Sequence, residues 1–197
     1  MAPQERMEHR TTSQLEAGLE EIRQSPKDNG VLKMIVRRPG VGQRETQDAG
    51  ELSITEGLVG DSWKERESKH TPDGSAHPEY QINIMNSRTI ALVAQHPERW
   101  PLAGDQLYVD LNLGGENLPV GTRLAIGTSV IEVTSPPHTG CAKFMARFGR
   151  DATQFVNSRE GRALNLRGIN ARVVKSGTIR VGDCVKKIFD DGFIQNS

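Results

Sequence analysis

The pattern of apolar and polar positions divides this chain into short strands with a few helices set among them. Near the N-terminus Leu15, Leu19 and Ile22 recur at helical spacing as one narrow apolar stripe, and Ser25-Pro26 ends the helix they predict. So short a helix needs tertiary packing to be stable. From Gly30 the period changes. Val31 to Val36 reads as a strand, Glu51 to Ile54 as a short one, and Tyr80-Gln81-Ile82-Asn83-Ile84-Met85 alternates as a half-buried third. Ser87 stands where it would cap a helix over Thr89 to Gln95. Further on, Leu107, Val109 and Leu111 share one strand face, and TRLAIG followed by SVIEVTSPP reads as a two-strand pair. AKFMARFG and DATQFVNS are helical in pattern, with Asp151 placed as a cap. Three strands close the chain, Asn170 to Lys175, Thr178 to Val181 and Cys184 to Ile188, with Ser176-Gly177 and Gly182-Asp183 as the turns between them.

Short strands at even spacing with a few inserted helices predict a mainly β fold with α decoration, a barrel or a sandwich. The texture divides the chain into an N-terminal helical extension (1–28), a β domain (29–189) and a loose tail (190–197). Between Gly57 and Pro78 lies a long polar stretch with almost no apolar periodicity. Stretches of that length without structure are usually functional or disordered. No internal repeat and no glycine-rich phosphate loop of standard spacing is present.

Composition narrows the function classes. Lys plus Arg and Asp plus Glu are 25 each, so the chain lacks the basic excess of a dedicated nucleic-acid binder. No window approaches the ~18 apolar residues of a membrane span, and the N-terminal residues lack the apolar core of a signal peptide. The two cysteines, Cys141 and Cys184, are far apart, unlike a secreted disulfide framework. A reducing, cytoplasmic setting without nucleic-acid or membrane partners is the expectation.

Cys141 sits in SPPHTGCAKF, where two prolines stop a strand, Gly140 permits an unusual backbone angle and a helix begins. A helix N-terminus stabilises an anion, and Lys143 and Arg147 follow within two turns. Such surroundings lower a thiol pKa from ~8.5 into the range of roughly 3.5 to 7.5. A small buried apolar residue is the competing reading of a free cysteine, and the residues alone leave both open. Cys184, following a Gly-Asp turn in an alternating strand, reads as packing. His138 and Cys141 have H-x-x-C spacing, but His9, His70, His77 and His96 bring no further cysteine, so a tetrahedral zinc site is not expected. A single thiolate suits a soft transition metal with its other positions open. Arg147, Arg150, Arg159, Arg162, Asn165, Arg167, Asn170 and Arg172 form a basic, amide-rich cluster. Arginine forks bind phosphate and asparagines read heterocycle edges, while a solvated face explains the same residues without a ligand. Gly168, opening a strand, is where a ligand would approach the backbone.

The ordered motifs carry a resemblance. Gly104-Asp105 opening a strand, Gly115-Glu116-Asn117-Leu118, the strand-loop-Cys141 segment with its basic helix, and the closing G-T-I-R-V-G-D turn resemble the MOSC domain, found at the C-terminus of molybdenum cofactor sulfurases and alone in bacteria. Upstream, Glu56-Gly57-Leu58-Val59-Gly60-Asp61 is similar to the family's early Gly-Asp motif, so the resemblance spans roughly residues 30 to 188. It implies a MOSC-type mixed β-barrel, pyruvate-kinase-barrel-like, with peripheral helices. It implies that Cys141 is a sulfur carrier, or a ligand to molybdenum held by a pterin, in sulfur transfer or in reduction of N-hydroxylated substrates. It also implies that Lys143, Arg147, Arg167, Asn170 and Arg172 hold the pterin and its phosphate. Alternatively the same barrel is a non-catalytic carrier of cofactor or sulfur for a partner, a cysteine desulfurase or a reductase. Pyridoxal phosphate would enter only through that desulfurase. The family's His-Gly-Gly stretch is only loosely echoed by His70-Thr71-Pro72-Asp73-Gly74.

Overall fold

Backbone hydrogen bonding joins seven strands into a closed barrel. The computed structural model describes residues 8–68 and 71–188, so the tail assigned to 190–197 lies outside the described residues. In chain order the strands are β1 (Gly30–Arg37), β2 (Glu45–Gln47), β3 (Ala49–Ser53), β4 (Gly57–Leu58), β5 (Ile82–Asn86) and β6 (Leu107–Asp110). They continue with β7 (Arg123–Ile126), β8 (Ser129–Val133), β9 (Ile169–Lys175), β10 (Gly177–Arg180) and β11 (Cys184–Ile188). The barrel runs β11-β7-β8-β9-β5-β6-β1 and closes where Gly30 and Val31 meet Val185 and Cys184. Its neighbours are antiparallel except β5 and β6, whose connection carries a helix, as a parallel pair requires. β2 extends β1, and β10-β3-β4 form a separate small sheet.

The helices are α1 (Thr12–Ala17), α2 (Leu19–Arg23), α3 (Ser87–Ala94), α4 (Ala142–Asn157) and α5 (Arg159–Ala163). The single predicted N-terminal helix is therefore two, broken at Gly18, yet Leu15 and Ile22 are both buried as the stripe requires. The cap of α3 is Asn86 rather than Ser87, because the Asn86 carboxamide oxygen accepts from the Arg88 and Thr89 amides. The two helical patterns after Cys141 are the two helical segments of α4, which meet at Gly149, whose φ of 89° takes it out of helical geometry. Asp151 does not act as the expected cap. Its carboxylate accepts from the Thr12 amide at 2.8 Å and hydroxyl at 3.1 Å, tying α1 to α4. The last three strands are consecutive but not paired with one another. β9 lies between β8 and β5, β10 pairs β3, and β11 pairs β7 and β1, so the glycine turns are corners.

Apolar side chains form two layers. Leu32, Ile35, Ile82, Ile84, Leu107, Val109 and their neighbours fill the barrel, where Leu52, Leu58 and Ile179 of the small sheet join them. Val36, Met85 and Tyr108, from the outer faces of the same strands, pack with Leu15, Ile22, Ile90, Phe144 and Phe148 of the helices. Leu32 and Ile35 are an odd number of positions apart and would face opposite ways on a regular strand. A register shift against β6 between Leu32 and Met34 turns both inward.

The polar stretch from 57 to 78 is partly built into this body. Leu58 is in the barrel core and Trp63 is buried. Asp61 is buried as well, and its carboxylate accepts two bonds from the Arg38 fork, Nε to Oδ2 at 2.8 Å and Nη2 to Oδ1 at 2.9 Å. Removing one partner of such a buried pair strands the other charge, at a cost of about 3–5 kcal/mol. Urea unfolding of Asp61→Asn and Arg38→Met should each show a loss of that order. The double variant Arg38→Met/Asp61→Leu should lose less than either, and additive losses would show that the pair is not coupled.

Candidate functional site

A 3-10 segment, Pro97–Ala103, precedes β6; the Gly104 amide closes it by donating to Pro101 O at 3.1 Å, and the carbonyls at its end draw further partners from outside the segment. Side chains satisfy them in sequence. Trp100 O accepts from the Tyr108 hydroxyl at 2.6 Å, Pro101 O from Arg44 Nε at 3.2 Å and Leu102 O from Arg147 Nη1 at 2.5 Å. Ala103 O accepts from Arg167 Nη2 at 2.9 Å and Gly104 O from Arg38 Nη1 at 2.7 Å. Four arginines from distant parts of the chain thus meet on four consecutive carbonyls.

Arg167, just before β9, is buried. It also donates from Nη1 to Asp105 Oδ2 at 2.7 Å and lies over the Phe144 ring at 5.0 Å. The other Asp105 oxygen, Oδ1, is 3.4 Å from His138 Nδ1. Asp105 Oδ1, His138 Nδ1 and Arg167 Nε are buried without a hydrogen-bond partner among the described residues. Burial, and then the Arg167 charge, push the His138 imidazole down to about 4 against the pull of Asp105. The ring is neutral at pH 7. Gly168 has a φ of 118°, and a Cβ there would stand 2.2 Å from Ile84 O and 3.1 Å from His138 Nδ1. The close approach expected at this glycine is therefore made by β5 and His138.

Cys141 is exposed at the N-cap of α4, immediately before its first residue, in extended backbone. Partial burial pushes its thiol up, but the Phe144 and Lys143 amides and the Arg167 charge outweigh that, leaving its pKa below the ordinary value. The packing alternative for this cysteine does not hold, since the side chain is not enclosed. Cys184, read from its strand as packing, is exposed too, because β11 turns Val185 inward.

Beside the Cys141 loop opens a cleft of about 290 Å³ lined by Trp63, Arg66, His77, Tyr80, Asn83 and His138, with Asn170 at its base. Asn170, buried on β9, accepts from Asn83 Nδ2 at 2.6 Å and donates to Pro136 O at 2.9 Å, which ties the loop to β5. The predicted site residues are thus dispersed. Arg167 and Asn170 are buried beneath the loop, while Arg147 reaches Leu102 and Lys143 is exposed. Arg172 is exposed on β9 and forks to Glu132 at 2.6 and 3.1 Å. Arg38, Arg44, Asp61, Asn83 and Asp105 complete the site and were not singled out from the sequence. Two of them carried a visible signal, since Asp61 and Asp105 each follow a glycine in the Gly-Asp pairs. His70 lies outside the described residues.

A metal or cofactor would find one soft ligand, Cys141, with amides and arginines around it. Among the described residues no three His, Cys, Asp or Glu side chains are grouped to hold a bare metal ion. That donor set fits a metal that arrives already chelated and needs a single thiolate.

No curated protein matches this chain. Several solved structures share its fold. The YuaD protein from Bacillus subtilis is 16% identical with a TM-score of 0.56, the match covering 81% of this chain and 95% of that one. YiiM from Escherichia coli is 17% identical with a TM-score of 0.52, over 81% and 70%. A hypothetical protein is 18% identical with a TM-score of 0.55, over 82% and 68%. The profile of the MOSC domain matches residues 71–186, more than half of the sequence and the part that holds His138, Cys141 and the cleft residues from His77 onward. This chain belongs to the MOSC domain family.

Proposed function

We propose that the protein uses Cys141 as a reactive thiolate with a molybdenum-pterin cofactor, for sulfur transfer or for reduction of N-hydroxylated substrates. The observation that supports this most is the exposed thiol at the start of α4, held below its ordinary pKa by two backbone amides and the Arg167 charge. When bound, the cofactor would supply a metal able to exchange electrons and oxygen. The chain's own residues supply the rest. Cys141 offers one soft ligand or sulfur acceptor, and Asn83 and Asn170 line the cleft with carboxamides held by each other, by Arg38 and by Pro136. Arg147 and Lys143 lie along the same helix for an anionic group, and Arg172 stands at the outer face of β9. Arg167 acts from below through its charge, its fork being taken by Asp105 and Ala103. The exposure of Cys141 also favours a second reading, a carrier that passes sulfur or cofactor to a desulfurase or reductase partner without turnover of its own. Membership of the family fixes the fold but not the reaction.

Protein from a host that makes the cofactor should carry molybdenum and release an oxidised pterin, and Cys141→Ser should carry neither. Metal-free protein that cannot be loaded in vitro would sink the cofactor reading. Multiple turnover on a hydroxylamine with an added electron donor would select the enzyme over the carrier.

In a Cys184→Ser background, the rate of alkylation by iodoacetamide should rise with pH through a midpoint below the ~8.5 of a free cysteine. A midpoint at or above that of N-acetylcysteine would remove the thiolate from the argument.

The folded chain keeps His138 neutral down to about pH 4, whereas the unfolded chain protonates it near 6.5. Its contribution to stability is therefore present above about pH 6.5 and is lost as pH falls toward 4. The loss is up to about 3 kcal/mol. Urea unfolding at about pH 7 and about pH 4.5 should show a smaller acid loss in His138→Asn than in the wild type. Equal losses would mean that the ring is not held neutral.

A further inference from the structure

The Cys141 loop is held at both ends by asparagine side chains. Asn170 secures its start at Pro136 O. Asn157, the last residue of α4, closes on Gly140, the residue before Cys141. Its Oδ1 accepts from the Gly140 amide at 2.9 Å, and its Nδ2 donates to the Gly140 carbonyl at 2.9 Å. A carboxamide carries a donor and an acceptor in one plane, so it holds both backbone groups of one residue as a neighbouring strand does. The contact depends on the bend in α4. A straight helix from Ala142 to Asn157 would be about 24 Å long, and its end could not touch the residue two before its start. At Gly149, with φ 89° and ψ 170°, the two segments double back and bring Asn157 onto Gly140. Gly140 itself has no positive φ, so the unusual backbone angle expected there is not the reason for the glycine. The reason is space: a Cβ at that position would stand 3.0 Å from Val156 Cγ2, 3.1 Å from Asn157 Nδ2 and 3.3 Å from Thr153 Cγ2.

We propose that Asn157 is a positioning residue for Cys141: by clamping Gly140 it fixes the Gly140–Cys141 peptide, and so the direction in which the thiol leaves the start of α4. This rests on the reading of Cys141 as a reactive thiolate, and it concerns the chain's own geometry rather than any bound group. The carbonyl of Gly140 and the amide of Cys141 belong to one planar unit. The bond from Asn157 Nδ2 therefore sets the plane on the N-terminal side of Cys141. On the other side the Cys141 carbonyl accepts from the Met145 amide at 2.9 Å and is held by the first turn of the helix. With both flanking planes held, the φ of −111° and ψ of 178° at Cys141 are held as well, and they decide where Cβ points. At those angles the thiol lies where the Lys143 and Phe144 amides favour its anion. Loosening the clamp leaves the helix and its amides in place. It lets the peptide rotate about its soft dihedrals, so the thiol meets those amides in fewer conformers.

The full chain in a Cys184→Ser background is alkylated with iodoacetamide at about pH 7, and each folded rate is divided by the rate of the same chain unfolded in concentrated urea. The ratio should exceed one for the Cys184→Ser parent. It should fall about threefold or more in Asn157→Leu and in Gly140→Ala, which disturb the clamp from opposite sides. Thr153→Val loses the hydroxyl bond to Gly149 O in the same helix but keeps the methyl beside Gly140, and its ratio should match the parent. A role in stability alone would lower the urea midpoints of all three variants and leave their ratios unchanged. Because a clamp variant can fail to fold, a second measurement uses the unaltered protein. Its Gly140 amide should exchange with deuterium at least about tenfold slower than in an unstructured peptide. Exchange at the peptide rate, or a folded Asn157→Leu chain that keeps the parent ratio, would overturn the proposal. A parent ratio of one or less would sink the thiolate reading, whereas the clamp stands or falls by the Gly140 exchange, so the two failures give different results.

Discussion

The carbonyls of residues 101–104 are the constraint on which the rest of this structure depends. They end a short 3-10 segment that brings the chain from α3 back to the barrel, and carbonyls at a helix end need partners from outside the helix. Arg38 at the end of β1, Arg44 in the following loop, Arg147 on α4 and Arg167 before β9 each supply one donor. Because these come from separate parts of the sequence, the carbonyls fasten the barrel, its edge loop and the helical layer to one point. The start of α4, and with it Cys141, is set by that fastening.

The same arginines give the site its electrostatics. Two of the four charges are balanced by buried carboxylates, Asp61 and Asp105, and two are not. Arg167 lies under the Cys141 loop, where one buried charge acts on two groups. It favours the thiolate of Cys141 and disfavours the protonated form of His138. A thiol whose ionisation is favoured thus stands three residues from an imidazole that stays neutral. That pairing follows from where one guanidinium is held rather than from any direct contact it makes with either side chain.

The barrel permits this by serving two layers at once. Its strands carry apolar residues on both faces, inward to the barrel core and outward to the helices, so β5, β6 and β1 are buried on both sides. The bulge in β1 lets Leu32 and Ile35 both point inward while Val36 packs outward. Buried polar groups link the site, Arg38 donating to Asn83, Asn83 to Asn170, and Arg167 to Asp105.

The sequence by itself determined the strand positions, the small helices and the special place of Cys141, because these rest on local period, proline stops and helix-end chemistry. The Gly-Asp pairs marked the two buried carboxylates without disclosing what they do. Only the tertiary structure decided that β9, β10 and β11 pair with distant strands, that Asn86 caps α3, and that Asp151 holds α1. It also decided which arginines face solvent and which face a carbonyl. Arg172 and Arg167 look alike in a basic run, yet one forks to an exposed glutamate and the other is buried on Asp105. Arg44 lies far from that run and belongs to the site all the same. Local pattern reports how a residue meets its neighbours in sequence, whereas a charge is governed by whatever closes around it in space.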